Sequence, residues 1–189
     1  LMAPRTPSEA TGLLALMLLH DSRRDARLDE AGDLVTLEEQ DRSRWDARQI
    51  NEALPLVEEA FRGEPGSFAV QAAIAAEHCR ATRAEETDWS EIVRLYDLLE
   101  RAQPSPIVSL NRAVAVAMAK GPEAGLALID SLDGDLDDYH LFHAARADLL
   151  RRLGSRVEAG KSYRRALELV TNDSERRFLE RRMREVQAN

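Results

Sequence analysis

Helix-start and helix-end signals recur along the second half of the chain at a nearly constant spacing. Gly121 precedes Pro122 and Gly154 precedes Ser155, and each pair is typical of the end of one helix and the start of the next. The two glycines are 33 residues apart. Further helix starts are indicated by capping-box patterns at Asp88-x-x-Glu91, Ser155-x-x-Glu158 and Asn172-x-x-Glu175. The spacing therefore predicts a series of similar helix pairs.

This spacing is close to the period of about 34 residues in tetratricopeptide repeats. Tyr96 and Pro104 stand where such a repeat has its second-helix aromatic residue and its closing proline. Tyr163 takes the aromatic position of the last copy, and Leu128 replaces the aromatic in the middle copy. We expect about three helix pairs between residues 67 and 171.

The expected fold class is all-α. A helical subdomain with a small β-hairpin near residues 27–37 occupies residues 1–66, and a tetratricopeptide-like array occupies residues 67–189. A helix over 173–187 closes the array, with three apolar residues facing inward: Leu179, Met183 and Val186.

The first third of the chain has weaker periodicity. Thr6 is expected to cap a helix through the run "GLLALMLLH" (12–20), which is apolar nearly all round and should be buried on several sides. Gly32, between Leu28 and the apolar run 34–37, indicates the hairpin. Asp46 predicts the next helix, with Trp45 and Ile50 as a hydrophobic staple and Gln49 closing a capping box. Pro55 should kink that helix or split it.

Composition limits the class of partner. Hydrophobic residues make up 44% of the 189 residues and aromatic residues 5%, which suits close-packed helices with small side chains. A net charge of −8 argues against a nucleic-acid-binding surface, which needs clustered positive charge. The single cysteine, Cys79, precludes an intramolecular disulfide and fits a reducing compartment. We expect a soluble, cytoplasmic protein with no membrane association, because the run 12–20 has no signal-peptide cleavage site and is too short to span a bilayer.

Patterns that resemble catalytic or metal sites are weak. His78 and Cys79 are neighbours on a helix and point about 100° apart, so they do not form a nucleophile–base pair. The acidic run 133–138 lacks the glycine and the bidentate glutamate of a calcium loop. His140 and His143 lack two further zinc ligands. The sequence predicts neither an enzyme nor a cofactor.

A set of longer segments is shared with a known family. These segments are "GLLALMLLHDSRRDARLD", "GDLVTLEEQDRSRWD", "LYDLL", "PSPIVSLNRAVAVA", "YHLFHAARADLLRRLG" and "NDSERRFLERR". Together they closely resemble the C-terminal extension of a group of bacterial extracytoplasmic-function RNA polymerase sigma factors. The resemblance runs from about residue 9 to 185. It implies a helical domain followed by tetratricopeptide-like repeats.

The resemblance also implies a function. The chain is expected to be a C-terminal fragment, starting at Leu1, that regulates or scaffolds transcription initiation. Its expected partners are the sigma regions of its own parent, core RNA polymerase or a regulatory protein. The promoter-reading regions are absent, so this fragment is not expected to bind nucleic acid directly. The alternatives are a free-standing tetratricopeptide adaptor that binds a peptide and, third, a small-molecule sensor.

The polar run before Trp45 is a first candidate site. The hairpin should bring Asp41 and Arg42 back toward Arg23 and Arg27 at the end of the first helix. We expect Asp41 to pair with one of those two arginines, with Trp45 packed beneath. The alternative is that these charges face water.

A second candidate site lies in the run 139–152. His143 and Arg146 occupy positions where these repeats bury large apolar groups, so Arg146 is expected to be largely buried and hydrogen-bonded. Its predicted neighbours are Asn111 and Arg112. The alternative is a register error that leaves Arg146 in solvent. Three residues are predicted to line the concave groove: Asp148, Arg151 and Arg152.

Overall fold

The fold consists of helices joined by turns and loops, as the capping signals predict. A computed structural model describes residues 7–62, 64–132 and 134–188. These residues contain nine α-helices, three short 3₁₀ turns (Arg24–Ala26, Arg42–Arg44 and Ala84–Glu86) and no β-strand, so the all-α prediction is confirmed. The helices are α1 (Pro7–Asp21), α2 (Ala47–Ala60), α3 (Ser67–Arg80), α4 (Trp89–Ala102), α5 (Pro106–Lys120), α6 (Pro122–Asp130), α7 (His140–Arg152), α8 (Arg156–Leu169) and α9 (Asp173–Gln187).

Side-chain caps explain where several helices begin. Asp46 accepts hydrogen bonds from the backbone nitrogens of Arg48 at 2.8 Å and Gln49 at 3.2 Å, which satisfies two free N–H groups at the start of α2. Asp88 caps α4 and Asn172 caps α9 in the same way. Ser155 makes no such bond, so the capping box predicted at α8 is wrong. The predicted cap Thr6 lies outside the described residues.

The segment expected to form a hairpin near residues 27–37 is a short hydrogen-bonded turn. The Asp29 nitrogen donates to the Asp33 carbonyl at 3.0 Å, and the Val35 nitrogen donates to the Arg27 carbonyl at 2.9 Å. Gly32 turns the chain with φ +78°. The two arms form no strand because these few bonds do not extend into a ladder, so the prediction of a two-stranded hairpin is wrong.

The proline in α2 does not split the helix. α2 runs without interruption through Pro55. Proline removes the hydrogen bond that Asn51 O would accept, but Asn51 and Pro55 are both exposed, so water can satisfy this carbonyl. Of the two expected effects of Pro55, splitting of the helix is therefore wrong, and a kink at this residue stays a prediction.

The chain forms two compact units. The first comprises Leu1–Leu28 and Val35–Pro104. In it α1 packs against α2 and α3, and α3 packs against α4. The small residues of α3, among them Ala69, Ala72 and Ala76, are fully buried and allow neighbouring helices to approach closely. The predicted boundary after residue 66 falls inside this unit.

The second unit comprises Asp29–Leu34 and Ser105–Asn189. α5 packs against α6, α7 against α8, and α9 against α8. Together with α3 and α4, these make the three helix pairs predicted between residues 67 and 171. Leu179 and Val186 of α9 are buried against Tyr163, with Met183 packed beside them, so the inward face predicted for the last helix is confirmed.

Among the described residues, none of the helices combines the length and the apolar character that a membrane span requires.

Candidate interaction sites

Arg42 joins the polar run before Trp45 to the end of α3. Its Nη1 donates to the carbonyl oxygens of His78 and Ala81, the latter at 2.7 Å, and its Nη2 donates to Thr87 Oγ1 at 3.4 Å. His78 and Ala81 lie at the C-terminal end of α3, where helical carbonyls lack partners within the helix. The guanidinium therefore satisfies these carbonyls and complements the partial negative charge of the helix end.

Trp45 is the surface on which this arginine rests. The ring is only 7% exposed. The guanidinium carbon of Arg42 is 4.7 Å from the ring centroid and that of Arg23 is 5.7 Å from it, both within cation–π range. These two contacts explain why Trp45 stands among charged residues: two of the arginines pack on its ring.

The predicted pairing of Asp41 with an arginine is wrong. Asp41 accepts from the backbone nitrogen of Ser43 at 3.0 Å and from its hydroxyl at 2.7 Å. Arg27 instead donates to the His20 carbonyl at 2.7 Å. Within the described part of the chain, Arg23 has no carboxylate partner. Asp41 finds a partner two residues away, whereas pairing with an arginine would require ordering a longer and more flexible side chain.

Gln49 also has a different partner from the expected one. Its side-chain nitrogen donates to Asp21 Oδ2 at 2.7 Å instead of returning to Asp46, whose own nitrogen donates to the Ser22 carbonyl at 2.8 Å. These two bonds join the end of α1 to the start of α2. They also position Arg23, next to Ser22, toward Trp45.

His78 lies in a positively charged environment. Its ring packs edge-on against Trp89 with 5.2 Å between centroids. Burial, followed by the charges of Arg23, Arg42 and His20, lowers the pKa of His78 to about 4. The folded protein therefore holds this histidine neutral.

This lowered pKa predicts acid sensitivity. The unfolded chain binds a proton to His78 near its ordinary pKa of about 6.5, and the folded chain does so only near 4. The stability that depends on the neutral ring is fully present above pH 6.5 and decreases as the pH falls toward 4. NMR titration of the His78 ring should give a pKa near 4. Arg23→Gln should raise it, and Arg44→Gln should leave it unchanged; a wild-type value near 6.5 would contradict this.

The apolar run of α1 is buried on one side only. Ala15 and Leu19 are fully buried, but Leu14 is 48% and Met17 is 60% exposed, and Leu13 is exposed beside them. The expectation that this helix is buried on several sides is therefore wrong. The residues 13, 14 and 17 share one helix face, so α1 presents a continuous apolar surface.

A groove of about 580 Å³ runs beside this apolar surface. Leu14, Met17 and Leu18 form the apolar part of its lining, which also includes three basic residues: His20, Arg24 and Arg27. Its lining belongs to the first unit alone. No local sequence signal marked this groove, because the pattern of α1 does not indicate which apolar residues remain uncovered.

In the second unit, Arg146 bridges two other helices. Its Nε donates to Asp130 Oδ1 of α6 at 2.7 Å, and its Nη1 donates to Ser162 Oγ of α8 at 3.1 Å. The side chain is 32% exposed, so the expectation of hydrogen bonding is met but "largely buried" overstates its burial. The side-chain partners of Arg146 are thus Asp130 and Ser162 and not Asn111 or Arg112, whose place beside this polar seam stays a prediction. α6 and α8 lie nearer to this face of α7 than α5 does.

Replacing Arg146 by methionine should lower the free energy of unfolding by about 1 kcal/mol, because the buried Ser162 hydroxyl loses a charged donor while the half-exposed Asp130 pair contributes little. Urea unfolding followed by circular dichroism measures this. Arg156→Met, at an exposed residue of α8, is the control and should change stability by less than about 0.5 kcal/mol. Equal effects of the two substitutions would contradict the bridging role.

His143 and the three predicted groove residues each have a polar partner, and Arg152 Nη1 also lies 3.2 Å from Met118 Sδ of α5. His143 Nε2 lies 2.8 Å from the Asp137 carbonyl, and His140 Nε2 lies 2.9 Å from Glu175 Oε2, so the two histidines contact different partners. Asp148 accepts from Arg151 and from Arg152, each at 2.6 Å. Their place in a concave groove stays a prediction. Asp133, the start of the acidic run, lies outside the described residues.

Arg177 and Arg181 were not among the predicted site residues. Arg177 contacts Asp33 and donates from Nη2 to the Gly32 carbonyl at 2.8 Å, and Arg181 Nη1 lies 3.7 Å from Asp33 Oδ2. They hold the loop 29–34 on α9. Sequence reasoning missed them because the paired residues are more than 140 positions apart.

Comparison with known proteins gives two matches. Residues 1–61 match a family of unknown function (DUF6596). An uncharacterized protein of Rhizobium meliloti (strain 1021) is 49% identical over 172 residues, which cover 90% of this chain and 41% of that protein. The chain thus spans about two fifths of the length of the curated relative it matches. No solved structure matches. The segment matched by the family contains α1, α2 and the Arg42–Trp45 contact.

Proposed function

We propose that this chain is the regulatory, protein-interaction region of a sigma-70-family sigma factor of the extracytoplasmic-function type. It acts in transcription initiation, in the cytoplasm, by contacting the sigma regions of its own parent, core RNA polymerase or a regulatory protein. The chain itself contributes no catalysis and no contact to DNA. The segments that resemble the sigma-factor extensions, and a relative of more than twice the length, support this proposal.

The exposed apolar face of α1 is the observation that carries the proposal. Large aliphatic side chains at Leu13, Leu14 and Met17 remain about half-exposed to water, although burying apolar surface is favourable by about 25 cal/mol per Å². A contiguous apolar surface of this kind usually marks a protein–protein contact. It lies in the segment matched by the family of unknown function.

Binding of the purified chain to the parent's sigma regions and to core RNA polymerase tests the proposal. Isothermal titration calorimetry should detect binding to at least one of them. Met17→Glu should weaken that binding at least tenfold, since it places a charge on the apolar face. Val157→Glu, on an equally exposed apolar residue of α8, is the matched control and should bind like the wild type. Binding to neither would refute contact with the sigma regions and with core RNA polymerase, which leaves a regulatory protein as the proposed partner.

A peptide-binding adaptor is the second candidate function, and one observation favours it. The second unit has a pocket of about 340 Å³ lined by Asp130, Phe142, His143 and Arg146. Charged groups of both signs beside an aromatic ring suit a peptide backbone and its polar side chains. A small-molecule sensor would instead need a mostly apolar lining.

A further inference from the structure

The groove beside α1 has two chemically different parts. Met17 and Leu14 lie about one helical turn apart on α1 and supply an apolar surface, and Arg24 and Arg27 follow it along the chain. We propose that this groove binds an amphipathic helix of a partner protein whose apolar stripe is flanked by acidic side chains. The proposal rests on the proposed function, since it specifies the partner surface that α1 recognises.

The apolar part has the spacing that helix-in-groove recognition uses. Met17 and Leu18 lie three and four residues after Leu14, so both side chains lie on the same face of α1 as Leu14 and the three form one stripe. A partner helix presents its own apolar residues at the same spacing, and the two stripes interdigitate. A groove of about 580 Å³ accommodates several aliphatic side chains.

The charged part of the groove determines which charge the partner helix carries. Asp21, the one acidic residue of the lining, already accepts a hydrogen bond from Gln49 at 2.7 Å and contacts Arg24. The side chain of Arg24 is largely exposed, and such an ion pair is readily exchanged for another. Arg27 donates to the His20 carbonyl and forms no close ion pair with a carboxylate among the described residues. The groove therefore carries net positive charge in a chain of net charge −8.

Other occupants are disfavoured. A second copy of the chain has acid-bearing amphipathic helices in α2 and α4, but these bury their apolar faces at Val57 and at Leu95 and Leu99 within their own unit. A nucleic acid needs more cations than Arg24 and Arg27, with no apolar surface between them. A membrane would contact a protruding helix more readily than a concave groove.

Three synthetic helical peptides of 18 residues test the proposal by fluorescence anisotropy. The first carries a leucine stripe flanked by glutamates, the second the same stripe flanked by lysines, and the third the glutamates with the stripe replaced by glutamine. The wild-type chain should bind the first peptide at least tenfold more tightly than the others. Met17→Glu should lose this binding, and Val157→Glu should keep it. The double substitution Arg24→Glu and Arg27→Glu should reverse the preference toward the lysine peptide.

Each contrary outcome overturns the proposal. No binding of the first peptide, or equal binding of the first and second, excludes an acidic helix. Binding to phosphatidylglycerol vesicles that is lost in Met17→Glu, without peptide binding, would assign the groove to a membrane surface. A concentration-dependent dimer in sedimentation experiments that Met17→Glu abolishes would assign it to a second copy. The peptides contain no sigma-factor sequence, so the two proposals can fail separately. If the sigma regions or core RNA polymerase bind but the peptides do not, this inference alone is refuted. If the peptides bind but neither of those partners does, only the proposed contacts with the sigma regions and core RNA polymerase are refuted.

Discussion

Replacing Arg42 by alanine is expected to lower the free energy of unfolding by about 3 kcal/mol, the largest effect of any single polar residue considered above. The substitution leaves the carbonyls of His78 and Ala81 without their donor at the end of α3. It also removes the guanidinium that packs on the buried ring of Trp45 at 4.7 Å. Losing a charged donor to half-buried carbonyls costs about 1.5–3 kcal/mol, and a desolvated cation–π contact adds about 1 kcal/mol.

Arg44→Ala is the matched control for this prediction. Arg44 is exposed and stands two positions away in the same 3₁₀ turn, and its side chain makes no hydrogen bond or ion pair with the described residues. Its replacement should change stability by less than about 0.5 kcal/mol. Urea unfolding monitored by circular dichroism and by tryptophan fluorescence measures both variants. If Arg42→Ala were as stable as Arg44→Ala, the role of Arg42 at the end of α3 would be refuted.

Replacing Gly125 by alanine is expected to destabilise the second unit by about 2 kcal/mol. A Cβ at this position would lie 2.3 Å from the Cβ of Ala117 and 2.8 Å from the carbonyl oxygen of Ala113. Both atoms belong to the neighbouring helix α5 and are held by its backbone, so α5 and α6 must move apart. The gain of about 0.5–1 kcal/mol that alanine normally brings to a helix is smaller than this cost.

Gly160→Ala is the opposite case in the same unit. Gly160 lies within α8, and a Cβ there meets no atom within 4 Å. Alanine should therefore raise stability by about 0.5–1 kcal/mol, since only the helix propensity changes. Thermal unfolding of the two variants should shift the midpoint in opposite directions. If both midpoints shifted in the same direction, the close approach of α5 and α6 would not be what restricts the size of the side chain at residue 125.

Local chemistry allowed much of the helical framework to be predicted. The caps at Asp46, Asp88 and Asn172 depend on residues two or three positions away, so the sequence itself contains both partners. The three helix pairs between residues 67 and 171 follow from such signals and from their spacing. Ser155 shows the limit of this reasoning, since the chain enters α8 from Gly154 without a side-chain cap.

The candidate sites depended on contacts that a local pattern does not contain. Arg42 finds its acceptors 36 and 39 residues away, whereas Asp41, the residue expected to form the pair, is satisfied by Ser43. The partners of Arg146 depend on which helices pack against the face of α7 that carries it. Alignment of the sequence to the repeat pattern does not specify that packing. For α1, the sequence determined an apolar helix, but only the packing of α2 and α3 against one side decided that Leu14 and Met17 stay exposed. Burial depends on the arrangement of neighbours, because an apolar side chain has the same preference for burial on every face of its helix.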